Sequence, residues 1–146
     1  IIKSGGLIMA NYFEVKITFD KTLENGKEKK VSELFLVDAL SFTEAEAKIT
    51  AEFSPLPNFK VKSIRQYKVA EIVNKTNLDD SRYFKCKLNF ITLDEKSGNE
   101  KKTAVYMLVD AENLDKAKVL LVEHMKSTMA DYSIEKIEET KIMALI

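Results

Sequence analysis

The side chains that carry most enzyme chemistry are scarce in this sequence. His124 is the sole histidine and Cys86 the sole cysteine of 146 residues. A histidine that relays protons needs a partner held in geometry. The sequence around His124 offers only Glu123 beside it, so an ordinary helix-surface residue is expected. Cys86 alternates with Phe84, Leu88 and Phe90, which reads as a small inward hydrophobe. Strand alternation sends Lys85 and Lys87 to the opposite face, away from any thiolate they would stabilise. One cysteine also excludes an internal disulfide. Asp38 and Asp110 both close a Leu-Val-Asp-Ala tetrad just before a helix. Two carboxylates are too few for a hard cation, and ordering of the strand-to-helix turn is the expected role. Neither a Gly-rich phosphate loop nor a Walker-type Lys-Ser/Thr pair occurs. The expectation is a non-enzyme with no catalytic residue, metal site or cofactor.

The basic residues suggest a different chemistry. Tyr12, Lys16, Tyr83, Lys85 and Lys87 fall on the outward side of two strands, and Lys60 and Lys62 on the outward side of a third. Rings and ammonium groups on one sheet face suit single-stranded nucleic acid, with bases stacked and phosphates neutralised. The competing reading is a solvated face whose lysines give solubility and protect strand edges. Glu14 and Glu135 dilute the positive field and favour that reading.

These residues are positioned by an internal duplication. Tyr12-Phe13-Glu14-Val15-Lys16-Ile17-Thr18-Phe19 returns as Tyr83-Phe84-Lys85-Cys86-Lys87-Leu88-Asn89-Phe90 at an offset of 71, and Leu36-Val37-Asp38-Ala39 as Leu108-Val109-Asp110-Ala111 at 72. A repeat decides the architecture before any single element does. In each copy an alternating strand leads through a Gly-containing turn (Gly26, Gly98) to a strand apolar on both sides, expected to be central in its sheet. A helix follows. Ser41 with Glu44 forms a capping box, Asn113 is the matching cap, and Phe42, Ala45, Ile49 and Phe53 align with Leu114, Ala117, Leu121 and Met125. Pro55 and Pro57 stop the first helix, whereas the second is expected to run on toward Met129. Extended segments 59–73 and 132–146 close the copies.

The expected organisation is a leader or tag-like segment 1–8, repeat 1 over 9–73, a linker over 74–82 and repeat 2 over 83–146. The expected fold class is α+β: two tandem β-β-α-β(β) repeats, each an antiparallel sheet covered by one helix, packed about a pseudo-twofold axis as a single body. A unit of this size buries too little surface to be comfortable alone.

Composition narrows the function. The chain is 45% hydrophobic, and its 23 basic and 23 acidic residues leave a net charge of +0, so no long-range pull toward nucleic acid exists. No apolar run reaches the length of a membrane span and no signal layout is seen, which makes the cytoplasm the expected compartment.

The paired Tyr-Phe strands, the Leu-Val-Asp-Ala tetrads, the Glu-Lys-Lys turns, Asn89-Phe90-Ile91-Thr92-Leu93-Asp94-Glu95, Thr103-Ala104-Val105-Tyr106-Met107 and Thr128-Met129-Ala130-Asp131-Tyr132 resemble a family of small uncharacterised proteins from gut Bacteroidetes and their phages, grouped as a domain of unknown function. The resemblance implies a phage or mobile-element setting and transfers no site residue. The function expected is a binding or assembly module acting on a protein partner, with self-association as an option. The alternative is a single-stranded nucleic-acid-binding accessory protein.

Overall fold

The computed structural model describes residues 11–146. The leader-like segment 1–8 lies outside the described residues. The elements run β1 (Tyr12–Thr22), β2 (Glu28–Asp38), α1 (Phe42–Phe53), β3 (Lys60–Tyr67), β4 (Glu71–Val73), β5 (Arg82–Leu93), β6 (Glu100–Ala111), α2 (Leu114–Met125), β7 (Asp131–Glu139) and β8 (Ile142–Leu145). They form an α+β fold with two four-stranded sheets, ordered β3-β1-β2-β8 and β4-β6-β5-β7. The apolar second strands, β2 and β6, are central, as their sequences predict.

The compact units do not follow the repeats. One unit runs to Lys68 and takes in Lys141–Ile146, while the other comprises Val69–Thr140. Each repeat therefore gives its last strand to the other unit. β4 pairs in parallel with β6, and β8 pairs in parallel with β2. Chain geometry gives the reason. β3 and β2 both run antiparallel to β1, so a strand added beside β2 in the same direction would need a crossover of a dozen or more residues. Only Lys68–Ala70 separates β3 from β4. The extension cannot return to its own β2 and pairs with the copy instead.

Each unit has its own core. Phe13, Val15, Ile17, Phe35, Val37 and Ile49 bury together in the first; Phe84, Cys86, Leu88, Met107, Val109 and Leu121 do so in the second. These are the inward positions of the alternating strands and the central positions of the helix stripes. The Ser41 hydroxyl accepts from Glu44 N at 3.1 Å, and Asn113 Oδ1 accepts from Lys116 N at 2.9 Å. The Glu44 carboxylate reaches one residue beyond its expected partner and accepts from Leu40 N at 3.3 Å. Gly26 and Gly98 take positive φ in the two hairpin turns.

Two expectations are corrected. α2 ends at Met125 and does not reach Met129, so both helices have 12 residues. Met125 is the last side chain of α2 that meets the core, and Met129 is 99% exposed, so nothing apolar rewards further turns. The outward side of β1 is also less open than simple alternation implies, because Tyr12, Glu14 and Thr18 are buried along with the core residues. Glu14 is satisfied there by Arg65 of β3, whose Nε donates to its carboxylate at 2.7 Å.

Replacing Ile49 or Leu121 with Ala should destabilise the protein by about 2–5 kcal/mol, read from denaturant midpoints, because each leaves a cavity in its unit's core. Thiol reagents should leave Cys86 unlabelled in the native protein and label it on unfolding.

Candidate functional site

The most elaborate polar arrangement is in the second unit, where the segment after β4 folds over the end of β6. Val73 pairs with Val109, which brings Asn74 beside Asp110. Asn74 adopts a φ of 58° that ends the strand, and its side-chain amide donates to the Asp110 carbonyl at 2.9 Å. Asn77, with a φ of 50°, donates its backbone N–H to Asp110 Oδ2 at 2.6 Å. The Thr76 hydroxyl donates to the same oxygen at 3.2 Å. Asparagine tolerates this left-handed backbone better than most residues, which explains its density in the linker.

Tyr83 completes the network. It stands directly opposite Asp110 across the β5–β6 ladder, and its hydroxyl donates to Asn77 Oδ1 at 2.5 Å. Asn77 thus bridges the two residues. Tyr83 is fully buried and Asp110 is 1% exposed. Burial, reinforced by the Asp110 charge, raises the Tyr83 hydroxyl to about 12. Among the described residues Asp110 Oδ1 meets no donor.

A cleft of about 220 Å³ opens at this point. The linker supplies Leu78, Asp80 and Ser81; β6 and the turn after it supply Asp110, Ala111 and Glu112; α2 supplies Lys116 and Leu120. Leu78 is 62% exposed on the rim. The cleft therefore joins an apolar wall to three carboxylates, with one ammonium group among them.

The first unit lacks this arrangement. Asp38, the counterpart of Asp110, is exposed, and its backbone carbonyl accepts from Lys48 Nζ at 2.5 Å. The role expected for both aspartates, ordering of the strand-to-helix turn, gives way to ordering of the linker by Asp110 alone. That asymmetry was invisible in identical tetrads. The available signal was the pair Asn74 and Asn77 in the linker, since a Tyr opposite an Asp occurs in both copies.

The aromatic and basic residues are divided between the two sheets. Tyr12, Lys16, Lys60 and Lys62 belong to the first unit, and Tyr83, Lys85 and Lys87 to the second. Both tyrosines are buried, so neither offers its ring to a base. Lys85 Nζ sits 4.9 Å from the centroid of the Tyr106 ring. Lys87 pairs with Glu135 at 2.8 Å, and Asn89 donates to the same carboxylate at 2.9 Å. That pairing raises the Lys87 pKa and lowers that of Glu135. Lys16, Lys60 and Lys62 are exposed and make no ion pair among the described residues.

The other candidates are occupied. His124 Nε2 lies 2.6 Å from Glu71 Oε1, which fastens α2 to β4 through a partner distant in sequence. Burial raises the Cys86 thiol to about 11.

Asp110→Ala should cost about 1–3 kcal/mol through the stranded donors of Asn77 and Thr76 and should speed cleavage within 74–82 by proteases. Asp38→Ala should stay within about 0.5 kcal/mol. A second expectation concerns alkaline pH. The folded state holds the Tyr83 proton that the unfolded chain releases near 10, so the resulting stabilisation is complete below that pH and is lost as pH rises toward about 12. Absorbance titration should show a late-titrating component that Tyr83→Phe diminishes.

No curated protein and no solved structure shows significant similarity to the chain. A family model does match, spanning residues 11–146 and therefore both repeats, the linker and the cleft. The chain belongs to the family defined by the domain of unknown function DUF4494.

Proposed function

We propose that this protein is a non-enzymatic binding or assembly module that acts through non-covalent contact with a protein partner. The observation that supports this reading is the cleft around Asp110. Its lining combines Leu78, Ala111 and Leu120 with Asp80, Asp110 and Glu112 against the single Lys116. A partner segment carrying an Arg or Lys beside an aliphatic side chain matches both the shape and the sign of charge.

The state of the nucleophiles supports binding over catalysis. Burial moves the Cys86 and Tyr83 pKa values further above neutrality, and a thiol or phenol that stays protonated is a poor nucleophile. His124 is engaged by Glu71. The setting proposed is that of a small accessory protein of gut Bacteroidetes or their phages, working in the cytoplasm. No helix among the described residues is long and apolar enough to cross a membrane.

Labelled peptides with a central Arg flanked by aliphatic residues should bind the full chain, and the affinity should drop at least about tenfold, or about 1.4 kcal/mol, in Leu78→Glu and in Glu112→Lys. Binding unchanged by both substitutions would reject the cleft. Single-stranded DNA probes the nucleic-acid alternative. Tight, steeply salt-dependent binding lost in Lys16→Glu/Lys60→Glu/Lys62→Glu would replace the protein-binding reading.

A further inference from the structure

The two strand exchanges are equivalent to the residue. β4 places Glu71 opposite Met107 and Ile72 opposite Leu108, and β8 places Ala144 opposite Phe35 and Leu145 opposite Leu36. Donor residues correspond at an offset of 73 and acceptor residues at 72, the same offsets that relate the repeats. The edges of β2 and β6 are therefore one acceptor site present twice, each filled by a strand from the other repeat. Its code is that of β-augmentation, with main-chain pairing plus alternate side chains turned inward. In β8, Ile142 is buried, and Ala144 and the following Ile146 pack on the core of the first unit, while Met143 faces outward.

The two donors are fastened by different side chains. β4 is fastened by the His124–Glu71 pair and by Asn74 on Asp110. At the positions equivalent to Glu71 and His124 the first unit has Ala144 and Glu52, which cannot form that pair. The contacts of β8 include its short ladder, the Ile146 N–H donating to the Leu36 carbonyl at 2.9 Å, and its apolar packing.

We infer that the β2 edge at Leu34–Leu36 is a strand-acceptor site that a second copy of this chain fills with its own Ile142–Leu145, giving a reciprocally exchanged dimer. This goes beyond the partner proposed for the cleft and uses a different surface. The ladder and the apolar packing that β8 makes within the first unit can be made equally by the same strand of another chain. The intramolecular strand competes at an effective concentration of order mM. The dimer fraction should therefore be small at micromolar protein and grow as the chain is refolded at concentrations nearing that range.

Two single variants, Leu36→Cys and Leu145→Cys, each in a Cys86→Ser background, test this directly. A disulfide between them in a mixture requires one chain's β8 on the other's β2. After co-refolding, the mixture should give a covalent heterodimer several-fold above a control that pairs Leu36→Cys with the exposed Met129→Cys, and the yield should rise with concentration. Yield equal to the control overturns the proposal. Should either cysteine variant misfold, the unmodified chain refolded over the same range and sized by light scattering decides. A concentration-dependent dimer abolished by Ala144→Asp supports exchange, whereas monomer throughout, or a dimer indifferent to Ala144→Asp, overturns it. Cleft variants such as Leu78→Glu should leave this dimer unchanged, which separates the two readings.

Discussion

The parallel pairing of β4 with β6 is the interaction on which the site depends. Only three residues of β4 join the ladder, yet they deliver the chain beside Asp110, where Asn74 turns out of the sheet and Thr76 and Asn77 close onto the carboxylate. Parallel pairs are slightly weaker per residue than antiparallel ones, so a strand this short needs other support. His124 on Glu71 and Asn74 on the Asp110 carbonyl provide it. Without that ladder the linker would lose its anchor and the cleft one wall. The pairing of β8 with β2 is the corresponding ladder in the first unit.

Duplication preserved the frame while the surfaces diverged. Both edge strands β3 and β7 carry an irregularity at the same place, which leaves Lys62 and Glu135 out of register with β1 and β5. In the second unit Glu135 pairs with Lys87. The corresponding residues of the first unit are Lys62 and Lys16, so a neutralised pair in one copy is a pair of like charges in the other. Tyr83 and Asp110 likewise form a buried network, whereas the matching Asp38 is exposed. The two copies thus keep an equal fold with unequal chemistry.

Burial and pairing set the surroundings of the side chains that the sequence singled out. Burial raises the pKa of Tyr83 and Cys86, and His124 is bound to Glu71. One oxygen of the buried Asp110 meets no donor among the described residues, while its other oxygen organises the linker. Burying a carboxylate is costly unless donors compensate, and the two donors from the linker show where that compensation comes from.

Periodicity alone determined most of the frame. Alternation in β1 and β5, the apolar runs of β2 and β6, the caps at Ser41 and Asn113 and the core around Ile49 and Leu121 all follow from local patterns of two and 3.6 residues, which a linear sequence records directly. The capping box was legible to within one residue, since Glu44 found Leu40 N. Two features were decided only in three dimensions. The destination of the last strand of each repeat depends on a connection too short for a parallel crossover, a rule about topology that no residue type signals. The partners of Asp110, Lys87 and His124 lie far away in sequence, at Asn77, Glu135 and Glu71. Two identical Leu-Val-Asp-Ala tetrads therefore acquired different roles, because an aspartate's role is set by the donors that folding brings to it.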